Sequence, residues 1–265
     1  MPVVSWIDDA RISAVSLMDR HDLYERCVQS PAELVPFLMA LHGASPRALR
    51  EEFSGTAAVS RTWAEISEDH SAEAVDIDAA VLERAPPRPR VERICSDVRS
   101  ADVHDASVDC VFAGNFSIGE MATRADLITY LAASLRRLRS GGLFACDTYG
   151  GTTAFEAGVL ERRHVQSDGT ILHHVWEQRT ADALTARVVN ALHFRIERDG
   201  EIVQELRDAF VYRWRLWSVP ELVDALREVG FVGVTVHTTL DANDHSEPVS
   251  PSFTVLVVAR APGAH

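Results

Sequence analysis

The chain has 265 residues, of which 46% are hydrophobic and 25% are charged, a balance typical of globular proteins that excludes disordered, collagenous and disulfide-rich chains. Its 26 basic and 39 acidic residues give a formal net charge of -13, which disfavours binding to a nucleic acid backbone. The length suits one large α/β domain with an insertion, and the apolar runs are too short to span a membrane.

The cysteines indicate a reducing compartment. Cys27, Cys95, Cys110 and Cys146 form no CxxC pair, and three of them lie in apolar runs typical of buried strands. The first residues, MPVVSWIDDARIS, lack the basic start and apolar stretch of a signal peptide. We therefore expect a cytoplasmic protein that does not bind membranes and that is a monomer or a homodimer.

The first 46 residues are predicted to form a helical N-terminal arm. Apolar residues recur at helical spacing over residues 32–41, after Ser30 and Pro31, which suit an N-cap and the first helical position. Residues 17–27 have a similar helical pattern. The arm thus precedes the first predicted strand.

From residue 47 onward, short apolar runs alternate with helical segments. Strands are predicted at 48–53, 72–77, 93–96, 108–113 and 142–147, and helices at 57–65, 79–84 and 125–139. This alternation predicts a mainly parallel sheet with helices on both faces. In such a sheet the carboxyl ends of the strands meet at one edge, where ligands bind.

Residues 162–218 have a different pattern and are predicted to be an antiparallel β insertion. Runs rich in β-branched and aromatic residues cover 170–179, 186–198 and 201–217, and the turn Asp199-Gly200 joins the last two as a hairpin. A helix over 220–229 and strands at 232–238 and 252–259 follow, with a surface loop over 241–252. The α/β domain is therefore predicted to comprise residues 47–161 and 219–265.

Polar or small residues follow four predicted strands in succession. The first strand runs into a turn of small residues in ALREEFSGTAAVS, which lets backbone N–H groups approach a ligand closely. Asp76, which ends the second strand, suits hydrogen bonding to both hydroxyls of a ribose; the alternative is that Asp76 and Asp78 only cap the next helix. Asp97 and Asn115 end the third and fourth strands.

With these stretches, nearly the whole chain resembles the Rossmann-like (class I) S-adenosylmethionine-dependent methyltransferases. The matching segments are REEFSGTA, AVDIDAAVLERA, CSDVRS, VDCVFAGNFSI, LRRLRSGGLFACDTYG and SVPELVDALREVGF. The resemblance implies a seven-stranded sheet whose last strand is antiparallel, and S-adenosyl-L-methionine as the cofactor.

The resemblance also implies a cofactor site, residue by residue. Glu51 would lie near the methionine amino group, and Ser54, Gly55 and Thr56 would form the loop under the cofactor. Asp76 would bind the ribose, Asp97 and Val98 would hold adenine, and Asn115 would face the methionine and sulfonium end. Ile77 and Phe116 are further expected cofactor contacts, and Tyr24 of the arm would close over the bound cofactor. Two features depart from the family pattern. Phe53 and Ala57 replace the outer glycines of the loop, and Glu52 places a charge in the strand.

The insertion resembles that of small-molecule N- and O-methyltransferases, in which such a sheet covers the acceptor pocket. We expect Ser117, Trp176, Arg213 and Trp214 to bind the acceptor, and His173, His193 and Tyr212 are the candidate general bases. Because side chains alternate along a strand, only about half of these residues face the pocket, and the others belong to the sheet core or to a dimer contact. The same alternation places His173 and His174 on opposite faces of their strand, so they cannot share a metal ion. We therefore predict no metal site.

The expected function is transfer of a methyl group to a nitrogen or oxygen atom of a small molecule. Two alternatives keep S-adenosylmethionine: another reaction, such as intramolecular cyclisation or transfer of a different group, and a module that binds the cofactor without catalysis. A nicotinamide-dependent oxidoreductase is disfavoured because the GxGxxG motif is missing.

Overall fold

The computed structural model describes residues 17–100, 105–238 and 252–263. The first 16 residues of the predicted arm and nearly all of the predicted loop at 241–252 lie outside these ranges. The helices and strands, in chain order, are α1 (Arg20–Cys27), α2 (Pro31–His42), β1 (Ala48–Glu52), α3 (Ala58–Ala64), β2 (Ser71–Asp76), α4 (Ala79–Arg84), β3 (Val91–Cys95), β4 (Val108–Ala113), a 3-10 helix (Ser117–Glu120), α5 (Arg124–Arg137), β5 (Leu138–Gly151), β6 (Gly158–Val165), β7 (Ile171–Asp182), β8 (Arg187–Arg198), β9 (Glu201–Arg215), α6 (Val219–Val229), β10 (Val232–His237) and β11 (Ser252–Arg260).

Seven strands form the main sheet, in the order β10-β11-β5-β4-β1-β2-β3. The β1–β2, β1–β4, β2–β3 and β4–β5 pairs are parallel, whereas β11 runs antiparallel to both β5 and β10. One hydrophobic core lies between the sheet and helices α5 and α6, and a second lies between the opposite face and helices α2 and α3. The predicted fold class is confirmed, including the antiparallel last strand and the helices on both faces.

The charge that interrupts β1 is compensated inside the protein. Glu52 is buried, and its carboxylate accepts hydrogen bonds from the Arg50 Nε at 2.9 Å and the Ser134 hydroxyl at 3.2 Å, with the Arg137 guanidinium at 3.5 Å. Arg50 also pairs with Glu73 of β2 at 2.7 Å. This network lies between the sheet and α5, so Glu52, the last residue of β1, has its charge paired inside the protein.

Strands β6 to β9 form a separate antiparallel sheet, which we call the roof sheet. It begins at Gly158, before the predicted start of the insertion at residue 162, because β6 was not predicted. The side chains of β6 are exposed at nearly every position, so its sequence lacks the alternation that marks a half-buried strand. The predicted hairpin turn is present, with φ of 51° at Asp199 and 82° at Gly200, as a type I′ turn requires.

The two helices of the N-terminal arm have different partners. Helix α2 covers one face of the main sheet through Val35, Phe37 and Leu38. Helix α1 packs under the roof sheet instead, where Leu23 and Cys27 join its apolar cluster. No helix among the described residues is long and apolar enough to cross a membrane.

Candidate functional site

The candidate site lies where the carboxyl ends of β1, β2, β4 and β5 meet. Since these strands are adjacent and parallel in the sheet, the segments that follow them share one edge. The loop 53–57, Asp76, the turn at Asn115 and Phe116, and Asp147 all lie there. We call this region the crevice.

The loop after β1 keeps the backbone conformation of a glycine-rich loop without the usual glycines. Phe53, Gly55 and Ala57 have φ of 56°, 54° and 59°, all in the left-handed region. A side chain added at Gly55 would meet no atom within 4 Å, so the space above the loop is open. The buried Ser54 hydroxyl has no hydrogen-bond partner in the structure. The loop therefore combines a buried, unpaired hydroxyl at Ser54 with open space above Gly55.

Glu51 is directed away from the open side of this loop. Its buried carboxylate accepts a hydrogen bond from the Ser60 backbone N–H at 2.7 Å in the first turn of α3. Ala57 is the N-cap residue and has no side-chain oxygen, so Glu51 caps the helix in its place. Burial raises the pKa of Glu51 to about 7. The expected contact between Glu51 and the methionine amino group stays a prediction, and helix capping is the role that the geometry shows.

Asp76 connects two neighbouring loops. One carboxylate oxygen accepts a hydrogen bond from the Gly55 N–H at 2.8 Å and the other accepts from the Asp78 N–H at 2.9 Å. Asp78 caps α4 by accepting from the N–H groups of its first turn. The two aspartates therefore have different positions, with Asp76 beside the loop after β1 and Asp78 at the helix. Ile77, between them, is 73% exposed at the rim of the crevice, where a flat apolar ring has room to pack.

Beyond Asp76, the carboxylate of Asp97 binds the guanidinium of Arg99. The Arg99 Nη2 lies 2.7 Å from Asp97 and the Nη1 lies 2.8 Å from Asp126 of α5. The hydrogen bonds from Arg99 lower the pKa of Asp97, so this carboxylate is ionised at neutral pH. Val98 is buried in the main core. The predicted adenine contacts of Asp97 and Val98 stay predictions.

Asp147 was not predicted from the sequence. At the edge where β5 passes β4, its two carboxylate oxygens accept hydrogen bonds from the backbone N–H groups of Asn115 at 2.9 Å and Phe116 at 2.6 Å. Both of those residues are left-handed, with φ of 58° and 62°. Burial raises the pKa of Asp147 to about 7. A strand ending in an acidic residue, LFACD, was the available signal, as it was for Asp76.

Helix α1 joins the loop after β1 to the roof sheet. Glu25 accepts hydrogen bonds from the Thr56 hydroxyl at 2.9 Å and the Arg61 guanidinium at 2.6 Å. On the same helix, the Tyr24 ring packs edge-on against that of Phe210 of β9, with centroids 5.1 Å apart. Helix α1 thus contacts both the loop after β1 and the roof sheet, and the Thr56 hydroxyl is engaged by Glu25. Closure of Tyr24 over the cofactor stays a prediction.

Five aromatic side chains gather where the roof sheet meets the crevice: Phe116, Tyr149, Trp176, Tyr212 and Trp214, which we call the aromatic cluster. The Phe116 ring centroid is 5.1 Å from that of Tyr149, 5.8 Å from Trp176 and 6.4 Å from Trp214. Tyr212 stacks on Trp214 at 4.3 Å. Four of these residues were predicted site residues, and Tyr149 was not. The cluster is the structure's best lining for an acceptor.

The 3-10 helix after β4 contacts the cluster from one side. Glu120 accepts a hydrogen bond from the Trp214 Nε1 at 2.7 Å. At Gly119 an added Cβ would lie 2.7 Å from Trp214 side-chain atoms, so this close approach requires glycine. Ser117 begins this helix, beside Phe116, and its role in acceptor binding stays a prediction.

Three predicted site residues lie on the outer face of the roof sheet, away from the crevice. His173 contacts Glu161 at 2.6 Å and Glu197 at 2.7 Å, and His193 contacts Glu177 at 3.1 Å. Inward positions are the alternate ones, such as Trp176 and Trp214, so Arg213 also faces outward and is exposed. The geometry does not support these two histidines as bases or Arg213 as an acceptor contact. The strand pattern predicted alternation but not which face is inward.

Of the three candidate bases, Tyr212 alone faces the crevice. Burial raises its pKa well above the usual range for tyrosine, so its hydroxyl is protonated at neutral pH. It therefore serves as a hydrogen-bond donor, and the prediction that it acts as a base is not supported.

Glu177, His193 and Asp208 place ligand atoms within 4.8 Å of one another on the outer face, a spacing that would suit a metal ion. Arg179 is hydrogen-bonded to both carboxylates, so a guanidinium already neutralises this cluster. A cavity of about 400 Å³ lies at the opposite edge of the main sheet, lined by residues such as Ala48, Ser71 and Val108 at the amino ends of the strands. Both features are remote from the crevice.

No protein-family model and no curated protein sequence matches the chain. Among solved structures, DesVI from Streptomyces venezuelae matches with a TM-score of 0.72 at 17% identity, over 94% of this chain and 100% of that one. The chain shares its fold with solved S-adenosylmethionine-dependent methyltransferases. The sugar N-methyltransferase KedS8 from Streptoalloteichus has a TM-score of 0.68 at 18% identity, over 99% of each chain. The amino pentose methyltransferase CalS10 from Micromonospora echinaspora has a TM-score of 0.67 at 18% identity, over 90% of this chain and 94% of that one. Because the match to KedS8 covers 99% of this chain, nearly all of the roof sheet falls within the region shared with that protein.

Proposed function

We propose that this protein is an S-adenosylmethionine-dependent methyltransferase that methylates a nitrogen or oxygen atom of a small molecule. The observation that carries the proposal is the position of Phe116. Its backbone is held by Asp147 at the strand ends, whereas its ring packs against Trp176 and Trp214 of the roof sheet. The two halves of a transferase site, one for the cofactor and one for the acceptor, therefore meet at one residue.

The residues of the crevice fit the cofactor. The open space above Gly55 leaves room for its amino acid end, and the buried Ser54 hydroxyl in the same loop has no partner of its own. Asp76 keeps unused lone pairs for ribose hydroxyls, and exposed Ile77 offers an apolar contact for adenine. When bound, the cofactor supplies a methyl group made electrophilic by the positive sulfur.

The protein's own contribution is to position the acceptor and to exclude water. The aromatic cluster surrounds an acceptor with apolar surface, and Tyr212 provides a hydroxyl donor beside it. Two carboxylates accept hydrogen bonds from residues of the cluster: Asp147 accepts from the Phe116 N–H, and Glu120 accepts from the Trp214 Nε1. An acceptor that must lose a proton would lose it to one of these carboxylates or to water, since His173 and His193 face outward.

The acceptor class follows from the same lining and is supported by the similar structures. Sugar N-, amino pentose and glycopeptide N-methyltransferases share this fold with the chain. We therefore propose an acceptor that carries an amine or hydroxyl group on a compact scaffold of sugar size. The four cysteines are free, which supports the expected cytoplasmic location. The expected state is a monomer or a homodimer.

The test is incubation with methyl-labelled cofactor and a panel of amino sugars, sugars and small amines, followed by mass spectrometry. The proposal expects a labelled product that forms in proportion to the demethylated cofactor. Consumption of the cofactor without methylation of any panel member, or with transfer of a different group, would favour another S-adenosylmethionine reaction. Binding without consumption would favour a non-catalytic module.

A further inference from the structure

A chain of hydrogen bonds runs along the inner face of the roof sheet to a fully buried amide. Gln178 of β7 donates from its Nε2 to the carbonyl oxygens of Ala154 and Glu156, each at 2.8 Å. Its Oε1 lies 3.0 Å from the Tyr149 hydroxyl, which lies 3.1 Å from the Nδ2 of Asn190. Three side chains thus connect two backbone carbonyls to the aromatic cluster.

The hydrogen bonds between Gln178 and the two backbone carbonyls determine which group donates at every later step. Carbonyl oxygens only accept hydrogen bonds, so the end of Gln178 that meets them must be its NH₂ group, and its oxygen must face Tyr149. The single Tyr149 proton then points to Gln178. Asn190 consequently has to donate to Tyr149 with its own NH₂ group. The order of donation therefore assigns the two ends of the Asn190 amide.

This assignment leaves the Asn190 oxygen without a partner. Asn190 is 0% exposed, and its Oδ1 makes no hydrogen bond within the described part of the chain. A buried amide oxygen with no donor is costly and uncommon in folded proteins, so an oxygen of this kind is well suited to accept a hydrogen bond from a bound ligand. The same network prevents the amide from rotating to relieve this cost.

The unpaired oxygen lies in the acceptor half of the proposed site. Asn190 is paired across the sheet with Tyr212 on one side and Gln178 on the other. A cavity of about 10 Å³ is lined by Tyr149, the hydrogen-bond partner of Asn190, and by Val188 and Trp214. That volume is too small for an acceptor, so an incoming group reaches the Asn190 oxygen by displacing the surrounding aromatic side chains.

We propose that Asn190 determines acceptor specificity, with its Oδ1 accepting a hydrogen bond from an N–H or O–H group of the acceptor. This inference rests on the proposed function and deepens it. An acceptor that lacks a donor at this point leaves the oxygen unpaired, so the site selects against it. Gln178 and Tyr149 act as positioning residues that direct the oxygen.

A first experiment separates this role from a structural one without any acceptor. Asn190→Leu removes both the unpaired oxygen and the bond to Tyr149, whose own proton stays with Gln178. We expect the melting temperature of the cofactor-free N190L protein to stay within about 2 °C of wild type. The matched control Gln178→Leu leaves two carbonyls and Tyr149 unpaired and should melt clearly lower. Equal losses in both variants would overturn the proposal, since Asn190 would then be an ordinary structural amide.

The second experiment measures methyl transfer with acceptors found in the labelled-cofactor panel. For N190L we expect kcat/KM to fall at least about tenfold, with unchanged affinity for the demethylated cofactor in calorimetry. Asn190→Asp tests whether the group that donates to this position is an N–H of a charged ammonium acceptor or an O–H of a neutral hydroxyl acceptor. A carboxylate should restore activity toward an ammonium acceptor much more than toward a neutral hydroxyl acceptor.

The outcomes separate the two proposals. A wild-type protein that methylates no panel member contradicts the proposed function, and with it the acceptor role of Asn190. An active wild type and an equally active N190L overturn the Asn190 proposal alone.

Discussion

Burial of Glu51 should make the stability of the cofactor-free protein depend on pH in an unusual direction. Its pKa is about 7 in the folded protein and 4.5 in the unfolded chain. Between these values the folded protein retains a proton that the unfolded chain has released, so unfolding releases a proton. The free energy of unfolding contributed by Glu51 is therefore fully present below pH 4.5 and is lost as the pH rises through 7.

The size of this loss in unfolding free energy follows from the difference between the two pKa values of Glu51. Each pH unit between the two values costs about 1.4 kcal/mol, so the loss is about 3 kcal/mol in total, an order-of-magnitude figure. Glu51→Gln keeps an oxygen for the Ser60 N–H and has no proton to release. The difference in unfolding free energy between E51Q and wild type should therefore grow by about this amount from pH 5 to pH 8.

Urea unfolding followed by circular dichroism, at half-unit steps from pH 5 to pH 8, measures this difference. Asp147→Asn is the matched variant, because burial also raises the pKa of Asp147 to about 7. This substitution should remove a second, separate part of the decrease in unfolding free energy with pH. Parallel curves for wild type and E51Q would refute the conclusion that Glu51 is buried and protonated near neutral pH.

The geometry of the site and of its supporting network yields three further predictions. Asp76→Ala should weaken binding of the demethylated cofactor by roughly 1.5–3 kcal/mol, whereas Asp78→Ala should lower stability and spare affinity; calorimetry showing the reverse order would move the ribose contact to Asp78. Glu52→Ala should destabilise the fold by roughly 3–5 kcal/mol, because it leaves the buried Arg137 guanidinium without a carboxylate partner and Arg50 with Glu73 alone, and a change within the error of urea unfolding would contradict the buried network. Trp214→Ala should reduce turnover by a factor that corresponds to about 2 kcal/mol or more without altering cofactor affinity, whereas His193→Ala should leave turnover unchanged; comparable losses in both would restore the histidine as a candidate base.

Much of the cofactor half of the site was predictable from the sequence, because each of its residues follows a strand. The order of strands in a parallel sheet brings such residues to one edge, whatever their separation along the chain. The positions of Asp76 and Asn115 at this edge were predicted in this way, whereas their contacts with the cofactor stay predictions. Asp147 was predicted as the last residue of the fifth strand but not as a site residue, although an acidic residue at a strand end was the same signal that singled out Asp76. In the structure β5 continues past it to Gly151.

The acceptor half was predictable only in part. Alternation along the strands correctly separated His173 from His174, but the inward face depends on what the sheet packs against. Here α1 and Phe116 cover the face that carries Trp176 and Trp214, which leaves His193 outside. The departures from the glycine pattern likewise became intelligible only with the backbone, which shows Phe53 and Ala57 in the conformation that glycine usually adopts.

The central claim is that the crevice binds S-adenosylmethionine, and differential scanning calorimetry with the demethylated cofactor tests it most directly. A ligand that binds only the folded state stabilises it by about 2.7 kcal/mol at a hundredfold excess over its dissociation constant. We predict a rise of several degrees in melting temperature with this compound, a much smaller rise in the Asp76→Ala variant, and none with NAD. No stabilisation by S-adenosyl compounds, or equal stabilisation by NAD, would contradict the account.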